Sequence, residues 1–157
     1  MGEMVSEVGG YLRDHGAGTI GHTTGASTGA DGARLFYRTL VESTSITVAL
    51  FDMTGVGDSV RTFARAHPVM EKPGLRVLIR STAPTGGATI PDSQAAYRVA
   101  RRCWALLDQV VNTTIAGTTY NRIEALAPPD QRDRDEQGRL IFGVDCLVWR
   151  VPSSTGG

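Results

Sequence analysis

The stretch SQAAYRVARRCWALLDQVVN, residues 93–112, decides how the rest of this chain is read. Ala96, Val99, Ala100, Cys103, Leu107 and Val110 recur at helical spacing and form one apolar stripe, widened by Tyr97, Trp104 and Val111. Arg98, Arg101 and Arg102 fall mostly on the opposite side, where the plain expectation is a wet helix face rather than a binding patch. Asp92, just before the stretch, is a good N-cap. The pattern predicts an amphipathic helix over 93–112.

C-terminal to it, residues 118–126 and 139–151 read as strands. Along the second, Leu140, Phe142, Val144, Cys146 and Val148 line one face, and Ile141, Leu147, Trp149 and Val151 the other. A strand this apolar on both sides expects cover from a helix or from a neighbouring subunit. Pro128-Pro129 and a charged run, residues 132–136, separate the two, followed by Gln137-Gly138. The pair therefore reads as an antiparallel hairpin with a long polar connection. Asp130, Asp133, Asp135 and Glu136 interleave with Arg132 and Arg134, which predicts a solvated, self-neutralising loop rather than paired catalytic carboxylates.

On the N-terminal side, LRVLIRS (75–81) puts Leu75, Val77 and Ile79 on one face and Arg76, Leu78 and Arg80 on the other, a half-buried strand. ITVALF (46–51) reads as another strand and Leu35-Phe36-Tyr37 as a short one. Residues 3–15 carry Val5, Val8 and Leu12 at helical spacing, with Gly9-Gly10 weakening the helix and Gly16 ending it. Gly55 to Asp58 reads as a turn, and residues 61–70 as a helical turn or a loop. Residues 16–32 and 82–91 are small, polar and glycine-containing, long enough to be loops or arms that order on a partner. The expected fold is a single α+β domain over 1–157. Its sheet is mainly antiparallel, of four or five strands, with two main helices packed on one face.

Composition narrows the function. The 157 residues include 16 Lys and Arg against 16 Asp and Glu, so the formal net charge is zero. Tight nucleic-acid binding draws on a basic excess that is missing here, whereas a neutral chain repels its own copies little. Residues 1–5 lack the basic start and apolar run of a signal peptide, and no apolar stretch approaches the ~20 residues that span a bilayer. Neither a signal peptide nor a membrane partner is expected. Cys103 and Cys146 both sit in apolar periodic segments and read as small buried hydrophobes.

Each candidate for chemistry fails on context. Residues 16–21, GAGTIG, match G-x-G-x-x-G, but a helix precedes them where a dinucleotide fingerprint needs a strand, and a loop follows where it needs a helix. His15, His22 and His67 are not spaced as metal ligands and read as surface residues. There is no G-x-S-x-G elbow, and Cys103 in a core stripe is a poor nucleophile. No catalytic, cofactor-binding or metal-binding residue is expected, and the chain is not expected to be an enzyme.

The second half reads EKPGLRVLIRS, then DSQAAYRVARRCWALLDQVVNTTIAGTTYNRIEALAPP, then RDEQGRLIFGVDCLVWRV. This order of motifs resembles the bacteriophage minor capsid or tail-terminator proteins. In that family a "PGLQV-R" strand precedes a helix ending near "L-N-T--G--Y--I-A--PP", and a "D--GR--F--" turn leads into the last strand. The resemblance is strongest over 71–151, and residues 19–32 and 55–67 depart from it. It implies a subunit of a homo-oligomeric, hexameric ring in the virion neck. Such a ring caps the tail tube, ends its polymerisation and meets the head–tail connector or stopper protein, while DNA passes through the lumen without specific binding. Another neck component, a connector or a tube-like subunit, is the alternative. The candidate contact residues are Gly18, Thr19, His22 and Thr24 in the first loop, Thr82, Thr85 and Ile90 in the second, and Arg132 and Arg134 in the charged run.

Overall fold

The structure is a computed structural model that describes residues 3–17, 19–20, 33–40, 46–53, 59–60, 70–82 and 93–151, with backbone alone for 19–20, 59–60 and Ser93. The fold is α+β, as expected, but the sheet is larger and of mixed direction. Its elements in order are α1 (Met4–Asp14), β1 (Thr19–Ile20), β2 (Arg34–Tyr37), β3 (Thr47–Met53), β4 (Ser59–Val60), β5 (Met70–Glu71), β6 (Gly74–Arg80), α2 (Ser93–Asp108), β7 (Val111–Ile115), β8 (Thr118–Ala125), β9 (Asp130–Arg134) and β10 (Leu140–Arg150). All ten strands join one sheet. The expected four or five strands are too few; the sheet is mainly antiparallel but mixed, because β1 pairs β2 and β2 pairs β3 in parallel.

The long strand β10 organises the sheet. One edge pairs antiparallel with β6, from Ile141↔Arg80 to Leu147↔Gly74, and continues in the same register to β5 at Arg150↔Glu71. β5 and β6 are thus one strand interrupted at Lys72-Pro73. Pro73 has no N–H to give a ladder, but its carbonyl still accepts from the Val148 N–H at 2.9 Å. The other edge pairs with β9 near its start and β8 near its end, the break between them falling at Pro128-Pro129. β3 lies beyond β6, antiparallel to it, and β2 and β1 lie beyond β3.

Two further corrections concern β7 and β9. The helix expected over 93–112 stops at Asp108, and Val111 begins a strand. Val110, Val111, Thr113, Thr114 and Ile115 are β-branched and fit a pleat better than a helix. Ala116 and Gly117 then take φ of 50° and 85°, a type I′ pair that matches strand twist, and set Ile115 opposite Thr118. The charged run, expected as a solvated loop, is in part the strand β9, exposed along its whole length and held by its ladder to β10.

The core lies between one sheet face and the two helices. Val48, Leu50, Leu75, Val77, Ile79, Val144, Cys146 and Val148 are fully buried on that face. Met4, Val5, Val8 and Leu12 of α1 and Ala96, Val99, Ala100, Cys103 and Leu107 of α2 cover them in one continuous cluster. The helices also touch each other: Arg102 Nη2 donates to the His15 carbonyl at 2.8 Å. Gly16 ends α1 as expected, at φ 79°, with its N–H on the Arg13 carbonyl and the Ala17 N–H on the Leu12 carbonyl. Gly9 has a packing reason, since a β-carbon there would collide with the Tyr37 ring. Ala17 is buried and Thr19–Ile20 pair with β2, so the 16–32 stretch starts as structure rather than as a free arm.

Candidate assembly surface

The face of the sheet away from both helices is set by strand parity. Residues alternate between the core and the other side, so Phe51 and Met53 of β3, Arg76 and Leu78 of β6, Ile141, Asp145, Leu147 and Trp149 of β10, and Arg122 and Glu124 of β8 share it. Phe51, Met53, Leu78, Ile141, Leu147 and Trp149 are all half-buried. At one end of this face Thr47, Ala49 and Arg80 are fully or almost fully buried. At the other end Val111 and Leu126 are 54% and 56% exposed, the most exposed of the large hydrophobic side chains described.

An ion chain crosses the middle of this face. Arg76 Nε donates to Asp145 Oδ1 at 2.9 Å, Arg132 Nη1 to the same oxygen at 3.0 Å, and Arg132 Nε to Asp130 Oδ1 at 3.2 Å. Burial works to raise the Asp145 carboxyl, but the hydrogen bonds from Arg76 and Arg132 outweigh it and hold it below the usual carboxylate range. Arg132 can lie flat because Gly143 is beneath it; a β-carbon at 143 would collide with the guanidinium. Beside this chain lies a hollow of about 420 Å³ lined, among the described residues, by Phe51, Asp52, Met53, Arg76 and Leu78. Asp52 takes part from the strand margin, where Arg38 donates to it at 2.7 Å and also pairs with Glu3.

A second polar group sits at the end of the sheet, under α1. Arg150 Nε donates to Glu71 Oε2 at 2.9 Å, its Nη1 reaches Glu7 Oε1 at 3.5 Å, and the Tyr120 hydroxyl donates to the same Glu7 oxygen at 3.0 Å. Glu7 and Arg150 are buried, and Glu7 Oε2 has no partner among the described residues. Burial, then the neighbouring Glu7 charge, pushes the Tyr120 hydroxyl well above the ordinary tyrosine value. This group ties α1 to β5, β8 and β10. Glu7 also lines a hollow of about 640 Å³ between α1 and the β7 strand, shared with Tyr11, Tyr37 and Thr113.

Cys103 and Cys146 are both free and buried, and burial raises each thiol to about 12, so neither offers a thiolate near neutral pH. Among the described residues no group of three or more His, Cys, Asp or Glu is placed to hold a metal ion, and no helix is long and apolar enough to cross a membrane.

Four of the nine contact residues expected from sequence are among the described residues, and they are spread over different elements. Gly18, His22, Thr24, Thr85 and Ile90 lie outside the described residues, as do His67, Asp92, the 55–58 turn and residues 61–69. Thr19 is the first residue of β1, opposite Arg34. Thr82 is half-buried just after β6, its carbonyl accepting from the Ser81 hydroxyl at 3.2 Å. Arg134 is exposed on β9 opposite Leu140. Arg132 reaches the outer face, through the ion chain and not as part of a loop. Phe51, Met53, Leu78 and Val111 were not singled out for this surface from sequence, whereas Ile141, Leu147 and Trp149 were, as the second apolar face of 139–151.

Neither a scan against protein-family models nor a search of curated proteins finds a match for this chain.

Proposed function

We propose that this protein is a structural subunit of a tailed-bacteriophage neck or tail, a tail terminator whose copies form a closed, six-fold ring. The observation that carries the reading is the outer sheet face. Six large apolar residues on it are half-buried, and both described helices cover the opposite side. An apolar face of this extent in a soluble chain expects a protein partner. Zero formal net charge supports self-association and argues against DNA as the main ligand. The motif order over 71–151 supports the terminator in particular. On this reading the ring sits in the virion, ends the tail tube, meets the connector or stopper protein, and lets DNA through its lumen without sequence-specific contact.

Mass photometry and negative-stain imaging of the purified protein, alone and with tail tubes, test this. The expected result is a closed ring of defined size that sits once on each tube end. Monomers alone in both samples count against the reading. Long stacked tubes from the purified protein point instead to a tube-like neck component.

A further inference from the structure

The β7–β8 hairpin leaves one edge of the sheet open. Ile115 and Thr118 flank its two-residue turn and pair through their backbones, so the next pair, Thr114 and Thr119, turns its N–H and C=O groups away from the hairpin. Thr119 has a neighbour on that side, since its carbonyl accepts from the Val151 N–H at 2.9 Å. The backbone groups of Thr114 have no partner among the described residues. β9 also runs along an edge, but Asp130, Arg132, Asp133 and Arg134 charge it, and Asp133 Oδ1 takes the Arg134 N–H at 2.7 Å. Charge of that kind protects an edge from further pairing. β7, with the sequence VNTTI, carries no charge and is exposed at Val111, Asn112 and Thr114.

Beside this edge lies the hollow of about 640 Å³ against α1. Gly10 keeps it open, because a β-carbon there would meet nothing nearer than the tip of Arg13 at 3.9 Å. The charged groups in its lining do not balance. Arg13 and Asp14 pair with each other at 2.9 Å, and His15 Nδ1 donates to the Tyr11 carbonyl at 2.8 Å. Glu7 shares its cation, Arg150, with Glu71, and its Oε2 is buried without a partner among the described residues. An unpaired strand edge and a carboxylate with an unused acceptor therefore lie on either side of one hollow, with Tyr11 and Tyr37 also in the lining.

We propose that an extended segment of a different polypeptide adds to β7 as a further strand and places a lysine or arginine side chain in the hollow between β7 and α1. Thr114 then gains the ladder bonds it lacks, and the cation meets Glu7 beside two tyrosine rings. An acidic segment would meet the Glu7 charge instead. This contact goes beyond the proposed ring, uses a different part of the molecule from the outer sheet face, and does not depend on copies assembling.

Fluorescence anisotropy with short labelled peptides of alternating Thr and Val, their central residue Lys, Ala or Glu, tests this. The lysine peptide is expected to bind about 10-fold tighter than the alanine peptide, and the glutamate peptide weakest. Thr114→Pro removes the outward N–H at a place where an edge strand tolerates proline, and is expected to weaken all three peptides by at least about 10-fold. Gly10→Met fills the hollow from an open helix position, and is expected to abolish the preference for lysine. Circular dichroism checks that both are folded, and Gly10→Met decides alone if Thr114→Pro is not. Absence of peptide binding, equal affinity for the lysine and glutamate peptides, or folded variants that bind as wild type overturn the inference. Loss of self-assembly in folded Thr114→Pro gives the edge to a second copy and overturns it too. Rings that bind no peptide leave the proposed function standing, whereas a protein that binds the lysine peptide but stays monomeric, alone and with tail tubes, leaves only this inference.

Discussion

The two faces of this sheet are made by alternate residues of the same strands, yet they are stabilised in different ways. On the inner face Val48, Leu50, Val77, Ile79, Val144 and Cys146 are completely buried beneath α1 and α2. On the outer face their sequence neighbours, Phe51, Leu78 and Leu147, are only half-buried, and the centre is an ion chain through Arg76, Asp145 and Arg132. Dispersion and the hydrophobic effect hold the first face, and substitutions there act on folding. The second contributes less to the folded chain, and on the proposed function substitutions there act on assembly. The difference teaches that hydrophobicity along a strand does not by itself mark the core, since what counts is which side the chain covers for itself.

The largest expected effect is on the covered side, at the end of the sheet under α1, where Arg150 is the buried partner of Glu7 and Glu71. Arg150→Ala leaves Glu7 buried without its cation and is expected to cost about 3–5 kcal/mol in urea unfolding. A cost below about 1 kcal/mol means that the cluster does not tie α1 to the sheet. Next is a neighbouring pair on β6. Ile79→Ala, on the inner face, is expected to lose about 3 kcal/mol, and Leu78→Ala, on the outer face, about 1 kcal/mol. Equal losses by thermal denaturation erase the contrast between the faces.

A smaller effect concerns pH. The Asp145 carboxyl is held low by Arg76 and Arg132, and that of Asp135 by the Arg139 backbone N–H and guanidinium, in both cases against burial. Folded values below the unfolded one, ~3.9, give stability that is present above about pH 4 and lost as pH falls through the folded values. Asp145→Asn is expected to cost about 1–2 kcal/mol at pH 7 and to flatten this acid limb. An unchanged limb assigns the acid sensitivity elsewhere. The smallest effect on stability is at Leu147. Leu147→Ser is expected to move unfolding by less than about 1 kcal/mol while weakening self-association. A folded variant that assembles as wild type removes the outer face from the interface.

Several features were legible from local pattern. The stripe of α2, the Gly16 stop and the strands at 46–51, 75–81 and 139–151 depend on periodicities of 3.6 or 2 and on the left-handed conformation of one glycine. Both faces of 139–151 could also be separated by parity alone. Among the missed strands, β7 and β9 lie where local signals conflict. Residues 109–112 extend a helical stripe in phase, but β-branched side chains and the Ala116-Gly117 turn make a hairpin when β8 is there to pair with. The run Asp130–Arg134 has no apolar alternation, and only its ladder to β10 makes it a strand.

The sequence by itself determined the two helices, the central strands and the absence of recognisable catalytic spacing, because these follow from the order of residues a few positions apart. Only the tertiary structure decided the parallel pairing of β1, β2 and β3, the burial of Glu7 with Arg150, and the grouping of Phe51, Arg76 and Leu78 around one hollow. Those depend on contacts between residues far apart in the chain, such as Glu7 with Arg150, and no local periodicity encodes which distant strand becomes a neighbour.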